Sequence, residues 1–224
     1  MLLKDFRFDS LRNLENLIII DLSSNQIKYW NNSYLGLKSV QTLKLNNNLL
    51  DYSYETSLKH FEKLNYIDLS SNKFKNLNKN IFEDTINLIE IDLSNNEIAD
   101  LNKKFFIDLS HLQILKLNNN KIRNLDKNLF LDLNNLTVLD LSNNKLENIR
   151  DFNVKNLDKL NHLNLTGNLF ETNSLNNVVM FIETQCGLNL IIDLKLENVP
   201  NVYVQCRGTC KNDLIRNLKG MFNV

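Results

Sequence analysis

The tightest restriction on this chain is a period. Asn recurs at 25, 48, 72, 96, 120, 144 and 168, a spacing of 23 residues once and 24 thereafter, and each time it sits in the same apolar frame, L-x-x-L-x-L-x-x-N-x-L. A unit of that length is one supersecondary element that cannot bury its own apolar face, so successive units must stack. The 224 residues therefore make one elongated core instead of two globular domains.

Leu17, Ile20, Leu22, Asn25 and Ile27 open the series, and Val40, Leu43, Leu45, Asn48 and Leu50 repeat it. Leu64 to Phe74 and Leu88 to Ile98 follow, then Leu112 to Ile122, Leu136 to Leu146 and Leu160 to Phe170. The L-x-L segment alternates apolar and polar residues, which predicts a short strand with one face inward. After each Asn the apolar spacing widens to about three residues, as in Ile98, Leu101, Phe106, Leu109 and Leu112, so the chain turns away and packs its return path inside.

This frame resembles the leucine-rich repeat family, in the 24-residue class found mostly in extracellular proteins. The resemblance runs without a gap over about 150 residues, 17–168. It implies an α/β solenoid: a leucine-rich repeat arc with a parallel concave β-sheet, an irregular or 3-10 convex side and a small C-terminal cap. It also implies a task for Asn25, Asn48, Asn72, Asn96, Asn120, Asn144 and Asn168, whose amides would form a ladder capping backbone groups in the turn after each strand. A buried group left unpaired there costs about 1–3 kcal/mol.

Five Gly and one Pro are few for a chain needing a turn in every unit. Asn tolerates left-handed backbone and bonds its own backbone, so its surplus is expected to supply the turns. Lys plus Arg equals Asp plus Glu at 26 each, which leaves no overall field to draw nucleic acid or an anionic membrane. No stretch approaches the roughly 20 apolar residues of a membrane span. Val178 to Ile182 and Leu188 to Leu194 are too short.

Residues 1–16 read as a partial N-terminal repeat, because Met1 falls where the frame wants its Asn and Leu3, Phe6, Leu11 and Leu14 follow at apolar positions. With neither a signal peptide nor a Cys-rich N-terminal cap in view, the expectation is a fragment or a degenerate family member, and the alternative is a leaderless cytoplasmic protein. Residues 169–224 read as a C-terminal capping region, opening with helical spacing over 170–182. It is similar to the family's C-terminal cap, but Thr172 and Ser174 occupy two of its Cys positions. Cys186, Cys206 and Cys210 all lie here. Either Cys186 bridges Cys206 or Cys210, the longer loop restricting the unfolded chain more, or all three are reduced with Cys206 and Cys210 one helical turn apart. Without a nearby His they make no zinc site.

The sequons at Asn31, Asn135 and Asn164 are glycosylation candidates if the protein is secreted. Asn31 and Asn135 are expected outside strands, and Asn164 on the concave strand face. Two columns of side chains should project from that face. Ile19, Thr42, Tyr66, Glu90, Ile114, Val138 and His162 form one, and Asp21, Lys44, Asp68, Asp92, Lys116, Asp140 and Asn164 form the other. Ile19, Lys44, Tyr66, Glu90, Ile114, Lys116, Val138 and His162 are the expected ligand contacts, with Tyr66 as anchor. The Asp residues are discounted as the default of the L-D-L-S frame.

His60, His111 and His162 fall in three separate repeats, and no phosphate loop or H-E-x-x-H is present. No catalytic residue, metal or cofactor is expected. The predicted function is recognition of a protein or peptide ligand on the concave face, in a secreted protein or a receptor or adhesion ectodomain. The alternative is an intracellular scaffold that docks a partner enzyme.

Overall fold

A computed structural model describes residues 2–4, 6–11, 13–31, 37–51, 58, 61–78, 80–147 and 157–170, with backbone alone at 190–194 and 202–206. Seven strands carry the repeats: β2 (Ile19–Asp21), β4 (Thr42–Lys44), β5 (Tyr66–Asp68), β6 (Glu90–Asp92), β7 (Ile114–Lys116), β8 (Val138–Asp140) and β9 (His162–Asn164). They pair parallel in chain order, with Ile19, Thr42, Tyr66, Glu90, Ile114, Val138 and His162 as successive register partners. From β4 onward each strand has a buried centre between two half-buried ends. Leu43, Ile67, Ile91, Leu115, Leu139 and Leu163 are fully buried. A slip of one residue would bury the Asp column, so the alternation fixes the register.

The repeated Asn locks each turn to its neighbour. Asn96 donates through Nδ2 to the carbonyls of Leu93 (3.1 Å) and of Leu69 in the preceding repeat (3.0 Å), and its Oδ1 accepts the N–H of Phe74 at 3.1 Å. Asn48, Asn72, Asn120 and Asn144 make equivalent bonds. At the start of the series Asn25 caps Leu3 N–H (2.9 Å), and Leu3 carbonyl accepts from Gln26 (2.8 Å). The left-handed residue of each turn is not the ladder Asn but the one before it: Ser24, Asn47, Ser71, Asn95, Asn119, Asn143 and Gly167, with φ between 53° and 68°. The Asn surplus thus splits into two jobs, since a side chain committed to bonds across repeats is set by the turn its neighbour makes.

On the return path Phe82, Phe106 and Phe130 stack at ring distances of 6.2 and 6.1 Å, one aromatic per repeat at the same phase. Thr85, wholly buried, satisfies its hydroxyl on the Phe82 carbonyl at 2.7 Å.

Two findings depart from expectation. The sequon residue Asn31 belongs to a strand, because β3 (Trp30–Asn31) pairs parallel with β1 (Phe6–Arg7) in a separate two-stranded sheet. Beyond the repeats the main sheet continues. β10 (Leu190–Leu194) adds parallel to β9, and β11 (Val202–Cys206) adds antiparallel to β10. Their L-I-I and V-Y-V runs are rich in β-branched and aromatic residues that fit a pleated sheet, and β9 offers a free edge to pair with. Cys206 therefore ends a strand, and the segment from there to Cys210 lies outside the described residues. The helical spacing over 171–182, Cys186 and Cys210 lie outside the described residues. Among the described residues no helix is long and apolar enough to cross a membrane.

Candidate functional site

The register sets both projecting columns side by side on the concave face. Seven strands at about 4.8 Å give a strip of roughly 30 Å. Its middle is a cluster built from two adjacent strands: Lys116 on β7 donates to Glu90 on β6 at 2.7 Å and lies 3.4 Å from Asp92 on the same strand as Glu90. Burial pulls the Lys116 ammonium down, but the Glu90 hydrogen bond and the Asp92 charge outweigh it and raise the value overall. Tyr66 borders this cluster, half-buried; burial first, then the carboxylates of Asp68 and Glu90, push its phenol up. Ile114 and Val138 lie next along the same column.

The Asp column has a visible local duty. Asp21, Asp68, Asp92 and Asp140 each accept the N–H and hydroxyl of the Ser two residues on, at 2.6–3.0 Å. Asn164 does the same with Thr166. These bonds hold the Asp21 carboxyl below its usual value, the Ser23 hydroxyl being the largest cause. One oxygen of each Asp is thereby committed to the turn, and its charge still faces the strip. Of the two lysines expected as contacts, Lys116 is neutralised by two carboxylates and Lys44 lies 3.5 Å from Asp21. The strip therefore carries five carboxylates against two ammonium groups, and both ammonium groups are already paired. Each lysine is thus paired by a neighbour on the adjacent strand, 23 residues away for Lys44 and 24 for Lys116.

Ile19 stands at the strip's end, 59% exposed, and His162 is half-buried on β9. His111 lies away from both on the flank that precedes the strands, its Nδ1 3.2 Å from the Ile86 carbonyl; a carbonyl can only accept, so Nδ1 carries the proton. His60 lies outside the described residues. No group of acidic, His or Cys side chains among the described residues could hold a metal ion. On the same flank Gln41, Asn65, Gln113, Asn87 and His111 line a shallow groove of about 620 Å³. The sequence reading missed it, although amides recur right after the first Leu of the frame. Asn135 also lines it, and its Nδ2, the atom a glycan would join, donates to Ser110 carbonyl at 2.6 Å.

Residues 62–122 and 86–146 match the family model described as Leucine rich repeat. The chain folds as a leucine-rich repeat solenoid. Over 86% of its length it is similar to TLR13 as solved in the TLR13–ssRNA13 complex, with 29% identity and a TM-score of 0.68, spanning 28% of that chain. Over 83% of its length it is similar in fold to an LRR protein of Leptospira interrogans, with 22% identity and a TM-score of 0.62, spanning 50% of that chain. No curated protein matches the sequence. Leucine-rich repeat solenoids are in general interaction modules and not catalysts.

Proposed function

We propose that this leucine-rich repeat chain binds a protein or peptide ligand on its concave strip, and that the ligand presents a cationic group to the carboxylates beside Tyr66. The supporting observation is the charge of the strip, where both lysines are spent on internal pairs and Asp68, Asp92 and Glu90 keep a negative excess around a half-buried aromatic. Tyr66, Ile114 and Val138 supply apolar contact of the kind that anchors protein interfaces. The same negative excess argues against an RNA strand on this face.

A secreted protein, or an ectodomain piece of a receptor or adhesion protein, is the setting we favour, on the 24-residue period and the sequons. Intact-mass analysis of protein from its natural source separates this from an intracellular scaffold: glycan mass or a disulfide supports the first, and three free thiols without glycan support the second. The binding reading is tested on a partner recovered by pull-down and identified by mass spectrometry. Tyr66→Ala should weaken that partner's affinity about tenfold or more with its unfolding midpoint nearly unchanged, and unaltered affinity removes the concave assignment.

A further inference from the structure

The balanced charge of the chain conceals a segregation by repeat position. Three of the four repeats from β5 to β8 carry basic residues at the first or third position past the ladder Asn, namely Lys73 and Lys75, Lys121 and Arg123, and Lys145, while the repeat of β6 carries Glu97 and Ala99 there. Backbone bonds put the first of these positions in one row, because Lys73, Glu97, Lys121 and Lys145 each donate N–H to the preceding repeat, on Leu50, Phe74, Ile98 and Ile122, at 2.8–2.9 Å. The third positions follow the same rungs, with Ala99 N–H on the Lys75 carbonyl at 3.3 Å.

The five basic side chains on this edge are exposed, and Glu97 and Ala99 are half-buried. Lys73, Lys75, Arg123 and Lys145 have no ion pair with another described residue. Glu97 is the one carboxylate in the first row; it pairs with Lys121 at 2.7 Å. That bond, with the charges of Lys75 and Lys73 added, holds Glu97 below its usual value. Asp100 and Glu147 complete its acidic complement. Between the cations stand Asn76, Ala99 and Asn124, so the edge has hydrogen-bonding amides and no aromatic between them, and the exposed Leu169 lies only at the end of the row, one rung past Lys145. A single-stranded nucleic acid would want stacking platforms, and an acidic protein segment would want an apolar anchor at the centre of its contact. A hydrophilic polyanion of sulfates or carboxylates among hydroxyls needs neither.

We propose that the edge formed by Lys73, Lys75, Lys121, Arg123 and Lys145, just past the C-terminal ends of β5 to β8, binds a linear anionic polysaccharide lying across the repeats. The three spacings between these four rungs, at about 4.8 Å each, span about 15 Å, room for a few sugar units. The contact is distinct from the concave strip, and either can fail without the other.

Heparin is the probe, titrated by fluorescence anisotropy against the full chain at about 50 and 300 mM salt, where surface charges are screened to different extents. Wild type should bind at low salt and weaken steeply at the higher. Lys73→Glu with Arg123→Glu should weaken binding at least tenfold with an unchanged circular dichroism spectrum, while Tyr66→Ala leaves it unaltered. Glu97→Gln frees Lys121 and should tighten binding about threefold, a gain that mere loss of structure cannot produce. The proposal is overturned if heparin does not bind, if the double charge reversal binds as well as wild type, or if charge-matched poly-glutamate or single-stranded RNA binds more tightly than heparin.

Discussion

Asn96 makes the case for a single residue carrying two repeats. Its Oδ1 is the acceptor of the Phe74 N–H and its Nδ2 serves the Leu69 and Leu93 carbonyls, all in a region closed to water. Asn96→Ala is expected to lower unfolding free energy by about 2–4 kcal/mol, since each orphaned buried group costs about 1–3 kcal/mol; urea denaturation measures it. Asn25→Ala should cost distinctly less. Asn25 caps Leu3, which is 43% exposed, so water can take over. A loss at Asn25 equal to that at Asn96 would overturn the burial argument. At Gly167, φ is +68° and an added Cβ would meet Asn143 Oδ1 at 2.1 Å. Gly167→Ala should destabilise by about 1 kcal/mol, from the left-handed backbone and the displaced Asn143 amide. The sequence identified the ladder Asn through its period. It did not identify the left-handed position, because Ser, Asn and Gly alternate there and no single letter repeats.

Among the elements, the strands owe their position to register and the return path to its aromatic stack. Phe106 sits between Phe82 and Phe130, 1% exposed, so Phe106→Ala should cost about 3–5 kcal/mol by cavity formation. Phe106→Leu should recover much of that in the same denaturation assay. The cluster spanning β6 and β7 predicts an alkaline effect with a definite sign. Lys116 titrates above the ordinary lysine value in the folded chain, so its pairing stabilises fully at neutral pH and is lost as pH rises through that raised value. Lys116→Met should flatten the alkaline limb of the stability profile, and an unchanged limb would show that Glu90 and Asp92 gain nothing from it. Alternation of apolar and polar residues made the seven repeat strands legible beforehand. β1, β3, β10 and β11 were not, since two of them are two residues long and the others depart from the repeat frame; β10 forms by meeting the edge of β9.

For the whole molecule, equal numbers of acidic and basic residues suggested a surface without a field. Stacking gathers part of those charges by place in the repeat, with five carboxylates against two ammonium groups along the strands, and Lys73, Lys75, Lys121, Arg123 and Lys145 against Glu97, Asp100 and Glu147 just beyond the ladder Asn. The sorted face makes a further expectation: charge reversal of Asp68 to Lys on the strip should weaken a cationic protein partner and leave heparin affinity at the opposite edge nearly unchanged, read by the two titrations in parallel. Solenoid architecture, strand phase, core side chains and the Asn ladder follow from the amino-acid order, because each is a local pattern copied every 24 residues. The pairing of Lys116 with Glu90 and Asp92, the quenching of Lys44 by Asp21, and the continuation of the sheet through 190–206 required the folded chain. Each depends on which residues of different repeats become neighbours across a strand spacing, and a one-dimensional pattern does not contain that distance.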